Sequence, residues 1–445
     1  MINVTPIGRA GLNEIGGKIH EEVLHKLKGP RGVKAFTEMS DNDSIVGAIL
    51  FAITMLTRQS SWYVEPVSND KVDMDAAQFL DECMNDMSMT WEDVVSEILS
   101  MLTYGWAYFE IIYKYRRGDS SNPKYRSKHT DGKIGWRKFA LRSQDSLDRW
   151  EFDPDGGVQG MWQIRKNGSP VLIPIDKALL FRTRVYKNNP EGRSILRNAY
   201  VSYYYVKRIQ ELEAIGIERD LAGLPKLEVP PRLLLQDASP EDKTLRAQLE
   251  TLVQEVRRDE REGLVLPAEI GDDGQPTGFK FSLVSTGGQR QIDTSKIITR
   301  YEQRIAMTVL AEFIMMGLEK GSYSAVVQKN FMFSTALDAW LDSIASVFNM
   351  FAVPRLFELN GWSLEKLPRI EHTPVQQISL EELGGYIERL SRAGMPLFPD
   401  PELETVLRQR ADLPEPSEDL SWPSTWTESG TKPEGMPNES EQGTA

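Results

Sequence analysis

The sequence predicts an α+β protein, with a mixed N-terminal part followed by long helices. Three observations carry this. Before about residue 190, aromatic and β-branched runs alternate with Asx-Gly turn signals and short helical patterns. After Asn189-Pro190-Glu191-Gly192, apolar residues recur at helical spacing through long stretches. From Asp412 onward the chain is rich in proline, serine and glutamate, with eight acidic residues against the single Lys432. Such a tail cannot bury enough apolar area to offset its ordering entropy, so residues 412–445 are expected to be disordered.

Taken in order, Asn13–Lys28 shows a short amphipathic helix pattern that Gly29-Pro30 is expected to stop. The apolar run Ile45–Leu56 lies between Asp43 and Arg58. A bilayer span needs about 20 apolar residues, so the run reads as a buried helix over Ile45–Thr57. Ser61–Pro66 is strand-like and ends on proline. Helical patterns follow at Asp73–Met87 and Trp91–Thr103, the second closed by Gly105. Trp106–Tyr115 reads as a strand. A polar, basic loop from Arg116 to Lys133 comes next, and then strand pieces Trp136–Leu141, Trp150–Asp153, Val158–Arg165 and Val171–Ile173 around Asp155-Gly156-Gly157 and Asn167-Gly168 turns.

Arg193–Leu221 carries Leu196, Ala199, Tyr203, Val206, Ile209 and Leu212 at helical spacing. A helix of that length spans about 40 Å. Gly223 and Pro225 end it. Strand pieces Lys226–Val229 and Leu264–Leu266 then flank a helix starting at Pro240, with Ser239 as N-cap, Glu241 and Asp242 in the first turn and Arg257, Arg258 and Arg261 near the end. Phe279–Val284 is a further strand. Asp293–Met316 places Ile297, Tyr301, Ile305, Val309, Leu310 and Phe313 on one stripe. Tyr323–Val353 places Phe333, Leu337, Trp340, Leu341, Ile344, Val347, Phe348 and Phe351 on another, with Pro354 expected to terminate it. Leu380–Gly394 and Pro401–Arg410 are shorter helices. No internal repeat is visible.

Length allows two or three packed modules. Apolar residues at 40% and charged residues at 26% are ordinary for a globular protein. Cys83 is the single cysteine, which excludes a disulfide framework and a cysteine zinc site and points to a reducing cytoplasm. No charged-apolar-small leader argues for secretion. The net charge of −13 excludes avid wrapping of nucleic acid by the chain as a whole.

Constellations for catalysis are missing. There is no Walker-type loop ending in Lys-Ser/Thr and no Gly-x-Ser-x-Gly elbow. His20, His25, His129 and His372 have no metal-ligand spacing and are assigned surface roles. Asp153-Pro154-Asp155-Gly156 has the start of a calcium loop but lacks the third acid and the closing Glu, so a hairpin turn is expected. Glu110 is expected to face solvent or an arginine. No catalytic residue, cofactor or metal is assigned.

An ordered set of segments resembles the portal proteins of tailed bacteriophages. Tyr104–Ile111 resembles the aromatic Gly-to-Glu strand of their wing, and Asn189–Leu196 the lead-in to their long stem helix. Gly223-Leu224-Pro225-Lys226 resembles the segment after that helix, and Ile292–Met316 the second stem helix. Gly317–Ser322 lies where the family has its tunnel loop, Ser324–Phe351 matches the helix behind it, and Leu413–Pro416 resembles the C-terminal ending.

The resemblance implies a portal-like α+β fold: wing at 1–190, stem helix 1 at 191–222, clip at 223–291 and stem helix 2 at 292–316. It further implies a tunnel loop at 317–323, a long helix and wing return at 324–375, and a helical crown at 376–411. The function it implies is that of a dodecameric, non-enzymatic ring at the capsid vertex. Such a ring is the conduit for DNA packaging and ejection, is assembled in the host cytoplasm and resides in the virion. Implied partners are further copies of the chain, double-stranded DNA in the channel, the terminase large subunit, a major capsid or scaffold protein, and a head-completion or tail adaptor; no membrane is implied. Gly317, Leu318, Glu319, Lys320, Gly321, Ser322 and Tyr323 would face DNA, with Lys320 giving a belt of positive charge. Arg257, Arg258 and Arg261 would lie where the motor docks. The basic loop Arg116–Lys133 could meet DNA or a capsid protein, or be a solvated hairpin. Two other classes stay open: an intracellular hydrolase with a non-standard site, and a head–tail adaptor or scaffold without a channel.

Overall fold

A computed structural model describes residues 8–222, 224–255, 268–270, 276–278, 280–284, 293–309, 323–375 and 380–392, with 404 and 408. The chain divides into two units, Met1–Val375 and Gln376–Ala445. In the first, β1 (Glu14–Ile15) and β2 (Lys18–Ile19) form a hairpin, followed by α1 (Pro30–Asn42), α2 (Ser44–Thr57), β3 (Trp62–Glu65), α3 (Lys71–Asn85), α4 (Trp91–Ile98) and α5 (Ser100–Tyr104). Strands β4 (Trp106–Tyr115), β5 (Ile134–Arg142), β6 (Leu147–Phe152), β7 (Val158–Ile164), β8 (Pro170–Pro174) and β9 (Ala178–Arg182) come next. The long helix α6 (Tyr200–Ala222) precedes an insert of β10 (Leu224–Glu228), α7 (Pro240–Glu255), β11 (Ala268–Ile270), β12 (Pro276–Gly278) and β13 (Lys280–Val284). Then follow α8 (Thr294–Thr308), α9 (Tyr323–Val347), a π turn at Phe348–Ala352, α10 (Val353–Leu359) and β14 (Arg369–His372). The second unit contributes α11 (Leu380–Arg392).

Strand β4 organises the first unit because both its faces are buried. Successive side chains on a strand point to opposite sides. Ala107, Phe109 and Ile111 enter the main core with Trp136, Phe139, Phe181 and the helices. Trp106 and Tyr108 point the other way, into a second core with Trp150, Met161 and Ile173. One sheet has the order β5-β4-β9 and the other β6-β7-β8, all antiparallel. Phe109 pairs with Leu141 on one side and Leu179 on the other, and the ladder to β5 shifts at Ile112/Tyr113.

Five residues of the predicted stripe are buried, Phe333, Leu337, Leu341 and Ile344 on α9 and Phe348 in the π turn, whereas Trp340 and Val347 are half-buried and Phe351 is 41% exposed. Residues 331–359 would also be long and apolar enough to cross a membrane, but these five side chains lie in the protein core. Within α2, Val46, Ile49, Ile53 and Thr57 are buried, while Phe51 is 65% exposed. The run is thus buried on one face only. Asp43 caps it, its Oδ1 accepting from Ile45 N and Val46 N.

Several expectations are corrected. Residues 13–28 hold a hairpin and a 3-10 turn at His25–Leu27, with no α-helix. Gly16 and Gly17, with φ of 59° and 80°, supply the left-handed pair that a tight hairpin turn needs. Gly29-Pro30 starts a helix where it was expected to stop one, because proline at the first helical position forfeits only an N–H that has no partner there. Pro354 likewise sits in the first turn of α10. The π turn before it absorbs the register change that the missing N–H requires, and the helical path continues to Leu359. The helix expected from Arg193 begins at Tyr200, after a 3-10 turn at Ile195–Arg197 that Ser194 Oγ caps. Strands β9 and β14 were not foreseen; β14 pairs with β3 across the chain, His372 opposite Trp62.

Candidate functional site

The feature built for a purpose beyond folding is the pair of helices that brackets the insert. Thr294 Oγ1 at the start of α8 donates to Glu213 Oε1 on α6 at 2.5 Å. Two turns further on, Tyr301 stacks on Tyr205 with ring centres 5.7 Å apart. One number rises as the other falls, so the two helices run antiparallel. Tyr203 and Val206 of α6 and Ile305, Ala306 and Val309 of α8 are buried beneath them. Farther along α6, Leu212, Ile215 and Ile217 stay exposed. Strands β10 and β13 close the insert as an antiparallel pair with Leu224 opposite Val284. Ser239 Oγ accepts from Asp242 N at 3.1 Å, the N-cap that the sequence predicts for α7.

The elbow feeding α6 is tightly knitted. A side chain on Gly105 would collide with the Glu191 carbonyl, and one on Gly192 with the Gly105 carbonyl. Thr183 Oγ1 donates to Arg193 O at 2.6 Å, and Ser194 Oγ donates to Thr103 O. The lead-in to the long helix is therefore pinned to the junction of α5 and β4 at Thr103–Gly105. Beside this elbow lies a polar cavity of about 410 Å³ whose lining includes Glu21, Glu22, Arg184, Glu191, Arg193 and Arg197. Burial outweighs the Trp150 Nε1 hydrogen bond at Glu191 and pushes its carboxyl up to about 7. A second cavity of about 540 Å³ separates α1 from α6. Lys26, Arg31, Lys34, Lys207 and Arg208 face Glu38 and Glu211 there, beside Tyr200, Tyr203 and Tyr204. Lys207 is paired with Glu38. That cationic groove is not evident from local sequence patterns; its one signal there is the four cations between His25 and Ala35.

The residues predicted for DNA contact and motor docking lie mostly outside the described residues. That holds for Gly317, Leu318, Glu319, Lys320, Gly321 and Ser322, and for Arg257, Arg258 and Arg261; Tyr323 opens α9. Residues 264–266, 401–403 and the tail beyond 408 are outside as well.

Other expectations can be placed. Glu110 pairs with Arg142 across the sheet. Asp153 Oδ1 accepts from Asp155 N and Gly157 N, which is the expected hairpin turn. Tyr203 is packed, whereas Tyr204 and Tyr205 are largely exposed at 43% and 47%. His372 departs from its assigned surface role. Its side chain is only 5% exposed, its ring lies 5.3 Å from that of Trp62, and Nε2 is 3.1 Å from Asp342 Oδ1. The Cys83 thiol is buried and pushed up to about 11, chiefly by loss of solvent, which makes it a poor nucleophile. Among the described residues no cluster of three or more His, Cys, Asp or Glu could hold a metal.

With this geometry in hand, a family model described as the portal protein of Mu bacteriophage matches residues 33–409. The chain belongs to that family. Among solved structures it resembles a chain described as "Neck of native GTA particle computed with C12 symmetry". The identity is 12%, the TM-score 0.50, and the match covers 87% of this chain and 94% of that one. It is also similar, at 11% identity and a TM-score of 0.49, to one described as "Neck of empty GTA particle computed with C6 symmetry", covering 86% and 94%. At such identity the likeness concerns the fold alone. The family is structural rather than catalytic. The matched span takes in the α6/α8 pair, the insert between them and the elbow at Gly192.

Proposed function

We propose that this portal-family chain forms a closed ring at one vertex of a phage capsid and serves as the conduit through which DNA is packaged and ejected. The observation that carries this is the family match over residues 33–409, spanning the antiparallel α6/α8 pair. Support for a ring comes from apolar side chains that one copy leaves uncovered: Phe51 on α2, Leu212, Ile215 and Ile217 on α6, and Phe331 and Met332 on α9. Neighbouring subunits would cover them, and closed rotational symmetry is the usual outcome of a head-to-tail contact that closes. The C12 symmetry in the description of the neck structure favours twelve copies.

In this reading residues 1–190 are mainly wing, α6 and α8 are the stem and 223–291 is the clip. The terminase large subunit, and later the head-completion or tail adaptor, would dock there, with Arg257, Arg258 and Arg261 as contacts. Residues 317–323 would be the tunnel loop, with Lys320 facing the DNA, and 376–411 the crown. The ring would assemble in the host cytoplasm against a capsid or scaffold protein and remain in the virion. No catalytic group is required. Electron microscopy of the purified full chain, without nucleotide or metal, tests the proposal. Closed rings with a central hole are expected; monomers alone at micromolar concentration would sink it.

A further inference from the structure

The chain carries −13 overall, yet residues 114–142 hold ten Lys and Arg against two Asp. Everything outside that stretch is correspondingly more acidic. Six of the ten cations and both acids fall on one feature, the arm Tyr115–Lys133 that joins β4 to β5. Its backbone closes on itself, with Gly118 N donating to His129 O, Ser127 N to Gly118 O and Gly132 N to Arg116 O, each at 2.8–3.0 Å.

Two buried cations hold the arm to the body. Lys114 Nζ lies 3.0 Å from Asp86 Oδ2, with side chains 3% and 5% exposed, and donates to Arg126 O at 2.6 Å. Asp86 in turn accepts from Ser127 Oγ and from Lys128 N at 2.6 and 2.8 Å. At the other edge Arg116 bridges Glu82 and Asp131. The arm is therefore set in shape before any partner arrives, which lowers the ordering cost of binding.

What it displays is charge without apolar surface. Arg117, Lys124, Arg126 and Lys128 are exposed. Arg117 lies over the Tyr115 ring at 4.6 Å and Arg137 over Tyr125 at 5.3 Å, so both exposed tyrosines are covered by a guanidinium. From Tyr115 to Lys133 there is no Ala, Val, Ile, Leu, Met, Phe, Trp or Cys. Protein interfaces are anchored by a desolvated apolar centre, and this surface offers none. Interfaces with nucleic acid are polar and strongly positive. We propose that the Tyr115–Lys133 arm is a docking site for the phosphate backbone of double-stranded DNA, separate from the α6/α8 helix pair.

The proposal rests on the portal reading only for the presence of DNA; the patch itself does not depend on it. Confined to one arm, the contact would be local, salt-sensitive and indifferent to sequence.

The test uses the full chain and a variant carrying Arg117→Gln, Lys124→Gln, Arg126→Gln and Lys128→Gln. These residues are exposed, so an unchanged melting temperature will certify the fold. Binding of a labelled duplex of about 30 base pairs is followed by anisotropy between about 50 and 200 mM salt. Loss of four phosphate contacts should lower the slope of log affinity against log salt by roughly 3 to 4, with at least a ~10-fold loss of affinity at low salt. Equal affinity and slope for the two proteins overturn the proposal. So does polyglutamate competing as well as unlabelled duplex of equal charge, which would make the partner an acidic protein. Microscopy of the same samples separates the two readings. Rings without arm-dependent binding sink this inference alone, whereas arm-dependent binding by a chain that never forms rings sinks the portal reading alone.

Discussion

At Glu191 the elbow that launches α6 places a carboxyl in the wall of the 410 Å³ cavity, and the hydrogen bond from Trp150 does not offset the solvent it has lost. Its folded pKa of about 7 stands above the ordinary Glu value near 4.3, so the fold favours the protonated form. The sign follows directly. Stability is full below the unfolded pKa and is lost as pH rises through the folded one. Replacing the acid by an amide keeps an acceptor for Trp150 and removes the titration. Glu191→Gln is therefore expected to melt roughly 1–3 °C above the parent at pH 8, with the gap closing towards pH 4. Parallel melting curves across that range would show that the carboxyl is solvated. Asp86 behaves in the opposite sense. Burial alone would raise it, but Ser127, Lys128 and Lys114 together hold it below the usual Asp range, so the arm it anchors is secured above the unfolded pKa and loosens in acid.

Among the elements, α6 and α9 show how a helical pattern divides between core and partner. On α9 most of the repeating stripe is consumed inside the chain, with Phe333, Leu337, Leu341 and Ile344 buried. Helix α6 starts in the core with Tyr203 and Val206 and then leaves it, with Leu212 52% exposed. An apolar residue that makes no use of its own core is a candidate contact for a neighbour. Leu212→Glu combined with Ile217→Glu is expected to leave the melting temperature within about 2 °C of the parent, because neither residue is buried in one copy. Ring yield should fall by at least ~10-fold, since each acid would be buried without a partner in the assembled contact. Sedimentation of parent and variant at equal concentration reads this out. Undiminished rings would place the subunit contact elsewhere.

For the whole molecule, the acidic stretch after Arg410 raises the net negative charge without apolar periodicity. Ending the chain before Asp412 removes eight acids and one lysine. Rings of unchanged diameter and a melting temperature within about 2 °C of the full chain are expected. A large drop on truncation would mean that the tail packs against the folded part. The charge removed lies far in sequence from the 114–142 stretch, so the duplex affinity assigned to the arm should not weaken.

Much of this protein was legible in its sequence wherever the signal was local. Most of the stripe on α9, the cap at Ser239, the Asp153 turn and the strand Trp106–Tyr115 follow from spacing and side-chain chemistry within a few residues. The ordered segments from Tyr104 to Pro416 resemble the portal family, to which the match over residues 33–409 assigns the chain. Other features depended on partners distant in the chain. Gly17, besides its left-handed backbone, must lack a side chain because the Trp150 carbonyl, over 130 residues on, lies against it. His372 is buried because β14 returns to pair with β3 over 300 residues earlier, a contact that no local pattern announces. The basic loop shows the same division. Its charge stands in the sequence, but only the tertiary structure separates the two cations used as buried anchors, Lys114 and Arg116, from those left facing solvent. Burial is a property of the assembled chain: it is set by what packs against a residue, and sequence spacing reports only which face that residue occupies.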